Sequence, residues 1–187
     1  FQKRGVAAAV MVLALMLAVA IGQVKKPVGN TPEPSTSVVG SYTYVLGDRQ
    51  DVLSDATRAH IDAINASLFA QTGAQIAVEV ISSTGTDDIG GYTEREFNRL
   101  GVGSAERNNG ILLLLVIGND DYWVMQGSGI AKYQSDGELT TLVIDNLEED
   151  FAAKDYDAGV KKTFAALYEA VENIYGKAGS TATAAPV

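Results

Sequence analysis

A short list of side chains in this sequence could do chemistry. Asn108-Asn109-Gly110 could offer side-chain amides and backbone N–H groups to an anion. The same residues also suit a purely structural task, because Asn and Gly tolerate the left-handed conformations needed to enter a buried strand. Gly127-Ser128-Gly129 is a second glycine-bearing turn, but it lacks the lysine and the spacing of a phosphate loop. His60 is the sole histidine, held between Ala59 and Ile61 in a helical pattern. Without a second histidine, a His-paired phosphatase or a zinc peptidase is hard to build. Ser128 has no evident base. The chain has no cysteine, which removes disulfides, Cys-based zinc sites and thiol nucleophiles together.

These residues have to be positioned by an alternation of helix and strand patterns. Ser54 is placed to N-cap a helix whose buried stripe is Ile61, Ile64, Leu68 and Phe69, ending before Gly73. Ala74–Ile81 reads as a strand with Ile76, Val78 and Val80 on one face. Ile89, Tyr92, Phe97 and Leu100 mark a shorter helix. The polar loop from Gly101 to Gly110 leads into Ile111–Ile117, an uninterrupted apolar run that predicts a central strand covered on both faces. Gly118-Asn119-Asp120-Asp121 is a turn into a third strand, Tyr122–Gln126, forming an antiparallel hairpin. Tyr122 and Trp123 alternate on that strand, so at least one should be buried and the other is available to a partner. Leu139, Leu142, Val143 and Leu147 line the next helix; Val160, Phe164, Leu167, Val171 and Ile174 line the last. The fold class predicted is α/β, a three-layer α/β/α sandwich with a small mixed sheet.

Around that domain lie three other segments. Residues 1–23 contain an uncharged stretch from Gly5 to Gly22 behind Lys3 and Arg4, which reads as a transmembrane anchor or a signal peptide. Its length is at the lower margin for a span. Lys25 and Lys26 could snorkel to extend it, whereas Ala18-Val19-Ala20 reads as a cleavage site. Residues 24–41, with Pro27, Pro32 and Pro34, form a spacer. The domain is expected over 42–175, and 176–187 form a low-complexity tail. Phe1 in first place leads us to expect further residues before it. The positive charges flanking the apolar stretch balance, yet a short leading tail and a large acidic domain favour export of the domain. The expected location is a single-pass cell-membrane protein with the domain outside the cytoplasm, or a secreted one if the segment is cleaved. With 23 acidic against 14 basic side chains and a formal charge of −9, the surface should repel a phosphate backbone, so nucleic acid is not an expected partner.

The ordered string of signals resembles the TPM domain family, which includes the YgcG-like bacterial proteins. The residues that carry the resemblance are Asp48–Ser54, Thr72–Val80, Phe97–Gly103, Asn108–Leu115, Gly127-Ser128-Gly129 and Phe151–Gly159. The resemblance implies a membrane-tethered α/β/α domain, with relatives linked to phosphatase activity, to divalent metal binding or to the care of membrane protein complexes. It maps the family's acidic positions onto Asp48 and Asp136. With Asp120 and Asp121 in the hairpin turn, these carboxylates suit Ca²⁺ or Mg²⁺, the metal set being Asp48, Asp120 and Asp136. Asn108, Asn109, Gly127 and Gly129 form a candidate ligand pocket. The sequence departs from the family at Ala131, where a Glu is common, and that loss should weaken a metal site. The competing reading is that Asp48 and Asp136 are helix caps or turn formers.

Two functions follow as expectations. The first is a membrane-tethered module that binds or assembles envelope or membrane proteins, with weak divalent metal binding compatible. The alternative is a divalent-metal-dependent phosphatase acting on phosphomonoesters, an activity implied by resemblance only. Convergence of Asp48, Asn108 and Asp136 in one pocket would support a shared site.

Overall fold

The computed structural model describes residues 43–182, so the apolar segment, the proline-containing spacer and the end of the tail lie outside the described residues. Among the described residues the elements run β1 (Val45–Leu46), α1 (Asp55–Thr72), β2 (Gln75–Ile81), α2 (Ile89–Leu100), β3 (Gly110–Val116), β4 (Asp121–Gln126), α3 (Ser128–Ala131), α4 (Asp136–Ala152) and α5 (Tyr156–Ala182). No helix among them is long and apolar enough to cross a membrane.

Local chemistry sets most of these boundaries. Ser54 starts α1 by accepting a hydrogen bond from the Thr57 N–H, and Gly73 ends it in the left-handed region at φ 72°. Asp88 caps α2 through the Gly91 N–H. Ser135 and Glu138 form a reciprocal capping box at the start of α4.

The strands form one open sheet in the order β1-β2-β3-β4. β1, β2 and β3 are parallel, and β4 returns antiparallel to β3 through the predicted hairpin. The fold is therefore mixed α/β, with four strands and five helices described. Every residue of β3 is buried, as the seven-residue apolar run requires. Val45, Ile76, Val78, Ile111, Leu113 and Val124 share one face with apolar residues of α1, α4 and α5. The opposite face, with Leu46, Ala77, Leu112 and Met125, packs on Phe97 and Leu100 of α2 and on Val102. Tyr122 and Trp123 point to opposite faces, and both are buried. The pairing register Leu46–Glu79–Leu114–Trp123 leaves one carboxylate in a row of apolar side chains on the α2 side.

Two elements escape sequence patterning. β1 has only two residues, too few for any periodicity. α3 is a single turn that grows directly out of the Gly127-Ser128-Gly129 segment.

Candidate functional site

The polar residues singled out by sequence gather at two opposite ends of the sheet. Gln75 pairs with Gly110 at one end of the parallel strands and Ile81 with Val116 at the other. Six residues of strand separate those ends by about 20 Å, at ~3.3 Å per residue.

Asp48 belongs to the carboxyl end, just beyond Leu46. It is 3 % exposed. Its Oδ1 accepts from the Val52 N–H at 2.9 Å and its Oδ2 from the Leu53 N–H at 3.2 Å. The Arg58 guanidinium donates to the same Oδ2 from Nε at 3.2 Å and from Nη2 at 2.5 Å. Arg58, on α1, also reaches Asp51 at 2.5 Å and Asp55 at 3.2 Å. Burial by itself would lower the guanidinium pKa, but the hydrogen bonds and charges of Asp48 and Asp51 raise it, so the cation is firmly held. Sequence reading missed Arg58. The available signal was its spacing, three residues after Asp55 and seven after Asp51, which turns it back over the acidic loop.

Asp157, on α5, completes this end of the sheet. It accepts from the Ser54 N–H at 2.7 Å, from the Ser54 hydroxyl at 3.3 Å and from Lys161 at 2.7 Å. Burial opposes its ionisation, yet hydrogen bonds from Lys161, Thr57 and Ser54 hold its carboxyl down at about 2, against an ordinary 3.8. A depressed folded-state value means that this stabilisation is present above pH ~4 and is lost as pH falls through ~2. Asp157→Ala should cost about 1–2 kcal/mol near neutral pH by leaving the cap of α1 unsupported. Chemical denaturation across pH should show the gap between variant and parent closing towards pH ~2. A gap that persists unchanged there would contradict the assignment.

Asp120, in the hairpin turn, and Asp121, the first residue of β4, lie at this same carboxyl end, where the Gly118 N–H bonds to the Ser82 carbonyl at 3.0 Å. Asp120 is exposed, at φ 51°. Asp121 is half-buried and accepts from its neighbour's Tyr122 N–H at 2.9 Å.

The amino end holds the remaining residues. Asn108 sits at φ 48°; its carbonyl accepts from the Gly129 N–H at 2.8 Å and its amide donates to the Ser128 hydroxyl at 3.1 Å. Asn109 is 1 % exposed. Its Oδ1 accepts from the Ser104 N–H at 2.9 Å, and its amide donates to the Thr72 carbonyl and to the Tyr175 hydroxyl. A Cβ on Gly127 would stand 2.1 Å from the Asn108 carbonyl oxygen, and one on Gly129 would stand 2.0 Å from that of Arg107. These glycines are thus required by close backbone approach. Asp136 is the first residue of α4, and its Oδ1 accepts from the Gln126 amide at 2.9 Å. Ala131 is exposed on α3.

Asn108 and Asp136 therefore share a neighbourhood, whereas Asp48 and Asp120 lie at the far end of the strands. Shared coordination by Asp48 and Asp136 is incompatible with ligand distances of ~2.3–2.6 Å. Among the described residues no group of three or more His, Cys, Asp or Glu is placed to hold a metal ion. His60 is exposed on α1, edge-on to the Phe164 ring with centroids 6.3 Å apart. Glu148 accepts from the buried Tyr122 hydroxyl at 2.6 Å, so that part of the Glu148-Glu149-Asp150 run is tied to the sheet.

A broad concavity lies elsewhere. It is an open groove of about 990 Å³ between α4 and α5, lined by residues including Glu138, Thr141, Asp145, Ala166, Glu169 and Asn173. A smaller hollow continues from it past Glu138 and Asn173 to Tyr133. Tyr133 is 61 % exposed, alone among the large hydrophobic side chains of the described residues.

A family model described as TPM domain matches residues 46–170. Three NMR structures share the fold. The N-terminal domain of a protein from P. gingivalis is 24% identical, with a TM-score of 0.60, covering 67% of this chain and 80% of that one. The BA42 protein from Bizionia argentinensis is 15% identical, with a TM-score of 0.55, covering 65% and 82%. The N-terminal domain of cg2496 from Corynebacterium glutamicum is 17% identical, with a TM-score of 0.52, covering 77% and 83%. No curated protein matches the chain.

Proposed function

The chain belongs to the TPM domain family, and from that premise we propose that it is a membrane-tethered, extracytoplasmic binding module that docks a basic segment of an envelope or membrane protein between α4 and α5. The groove carries the proposal. It is open along its length, which suits a chain segment better than an enclosed small molecule. Its carboxylates, Glu138, Asp145 and Glu169, belong to a protein of formal charge −9 and complement Lys and Arg. Exposed Tyr133 at its end supplies an aromatic contact of the kind that anchors interfaces. Asn108 and Asn109, expected to line a ligand pocket, make hydrogen bonds to Ser128, Ser104 and Thr72.

Crosslinking of the full chain in cells, followed by mass spectrometry, tests this. Asp145→Lys/Glu169→Lys should lose the partner recovered with the parent while keeping the parent's thermal stability, because both side chains are exposed. Equal recovery of the same partner by parent and variant would remove the groove from the proposal.

The second reading is a phosphatase using Ca²⁺ or Mg²⁺ at the carboxylates near Asp48 and Asp136, on phosphomonoesters. It draws on the resemblance, and the separation of those two residues requires each to act alone. Equal phosphomonoester hydrolysis by parent and Asp136→Ala, with either cation, would remove the Asp136 assignment. Weak cation binding is compatible with both readings.

A further inference from the structure

Glu79 is the outlier of the sheet. Side chains alternate along β2, and its nearest neighbours on that face, Ala77 on β2 with Leu46, Leu114 and Trp123 across the strands, are apolar; the polar residues of the same face, Gln75 and Asp121, lie at the two ends of the strands. Glu79 is 6 % exposed, and its Oε2 finds no hydrogen-bond partner. An ionised carboxylate without a donor in such a place is costly, whereas a protonated one loses far less on burial. The lid over this face is α2, a helix whose sequence begins Ile89-Gly90-Gly91 and whose buried apolar anchors are Phe97 and Leu100. Two glycines near its start weaken it intrinsically. The apolar cluster beneath it is small beside the main core formed by α1, α4 and α5. A lid with few buried anchors opens at lower free energy than the body it covers.

We propose that Glu79 is a proton-operated latch on α2: protonated, it lets the helix lie closed over this face of the sheet, and ionised, it favours local opening of the helix while the rest of the fold stays shut.

The groups that face Glu79 come from α2. Glu96 interacts unfavourably with its charge and Arg99 favourably, while Tyr92 stays a neutral phenol whose own ionisation is opposed by burial and by the Glu79 charge. Arg99 is already paired with Glu96 at 2.5 Å, so its charge is shared. The flanking strands present Leu46 and Leu114, which offer neither charge nor donor. Burial, followed by the Glu96 charge and offset in part by Arg99, pushes the Glu79 carboxyl up to about 7 from 4.5. A raised closed-state value means that the closed form gains stability below pH ~4.5 and loses it as pH rises through ~7. Opening would uncover Leu112, Leu114, Trp123 and Met125, an apolar surface that is closed at mildly acid pH.

Amide hydrogen exchange of the full chain at about pH 5 and about pH 8, corrected for intrinsic rates, tests the latch. The amides of residues 89–100 should open roughly 10- to 100-fold more often at the higher pH, with those of α1 and α5 unchanged. No change in α2, or an equal change throughout the fold, would overturn it. Glu79→Gln should make α2 protection independent of pH, and a variant that keeps the parent's response overturns the proposal. Should that variant fail to fold, the ¹³C-carboxyl titration of Glu79 in the parent decides. A midpoint within about one unit of 7 supports the latch, and a midpoint near 4.5 contradicts it.

Discussion

Replacing Arg58 with Met should destabilise the domain by about 3–5 kcal/mol, because it strips the partner from a buried carboxylate. Asp48 would keep its two backbone donors, Val52 and Leu53, but lose both guanidinium contacts. For a domain of this size the loss corresponds to a fall in Tm of about 10–20 °C. The exposed partners should matter much less. Asp51 and Asp55 are 79 % and 84 % exposed at the side chain, so Asp51→Ala should cost no more than ~1 kcal/mol. Asp48→Asn combined with Arg58→Met should recover much of the loss, since the uncompensated charge is gone while an acceptor remains. Thermal denaturation of the four proteins measures this directly. If Arg58→Met and Asp51→Ala were equally mild, Arg58 would not be the organiser of the β1–α1 junction.

The second large effect separates structure from chemistry in the Gly127-Ser128-Gly129 turn. Gly129→Ala would force its Cβ to within 2.0 Å of the Arg107 carbonyl oxygen and within 2.9 Å of that of Asn108. Both obstacles are backbone, so relief requires the β3 approach and α3 to move apart. The expected cost is at or beyond the upper end of the ~1–3 kcal/mol typical of overpacking. Ser128→Ala removes one exposed hydrogen bond, to the Asn108 amide, and should change stability by about 0.5 kcal/mol or less. Denaturant titration of both variants is the check. A tolerated Gly129→Ala would show that the turn has room, reopening it as a ligand pocket.

Much of the fold was legible because periodicity reports packing. The stripe Val160, Phe164, Leu167, Val171 and Ile174 is buried as its spacing requires, and the apolar run after Asn109 became the central strand. Where the expected stripe of α1 included Phe69, that residue is only half-buried, and Asn65 takes an interior place by bonding the Ile76 carbonyl and N–H. A polar residue can enter a core when the neighbouring strand edge supplies its partners, which no hydropathy pattern reveals. The site was less legible for a related reason. Asp48, Asn108 and Asp136 are polar residues in loops or at a helix start, and whether two of them meet depends on which end of a strand each loop leaves. That follows from strand order and direction, not from spacing along the chain. Glu79 shows the same limit from inside a strand: alternation says that it shares a face with Ala77, but not that α2 covers that face.

If the α4–α5 groove is the working surface, a partner should be captured from within it. The most direct measurement places a photoactivatable crosslinking residue, one position at a time, in the full chain in cells: at Thr141 and Asn173 in the groove, and at Asn119 on the distant hairpin turn. All three positions are exposed. Thr141 and Asn173 should capture the same envelope or membrane protein through a Lys- or Arg-bearing segment, and Asn119 should not. Capture from Asn119 alone, or no reproducible capture from either groove position, would contradict the groove assignment.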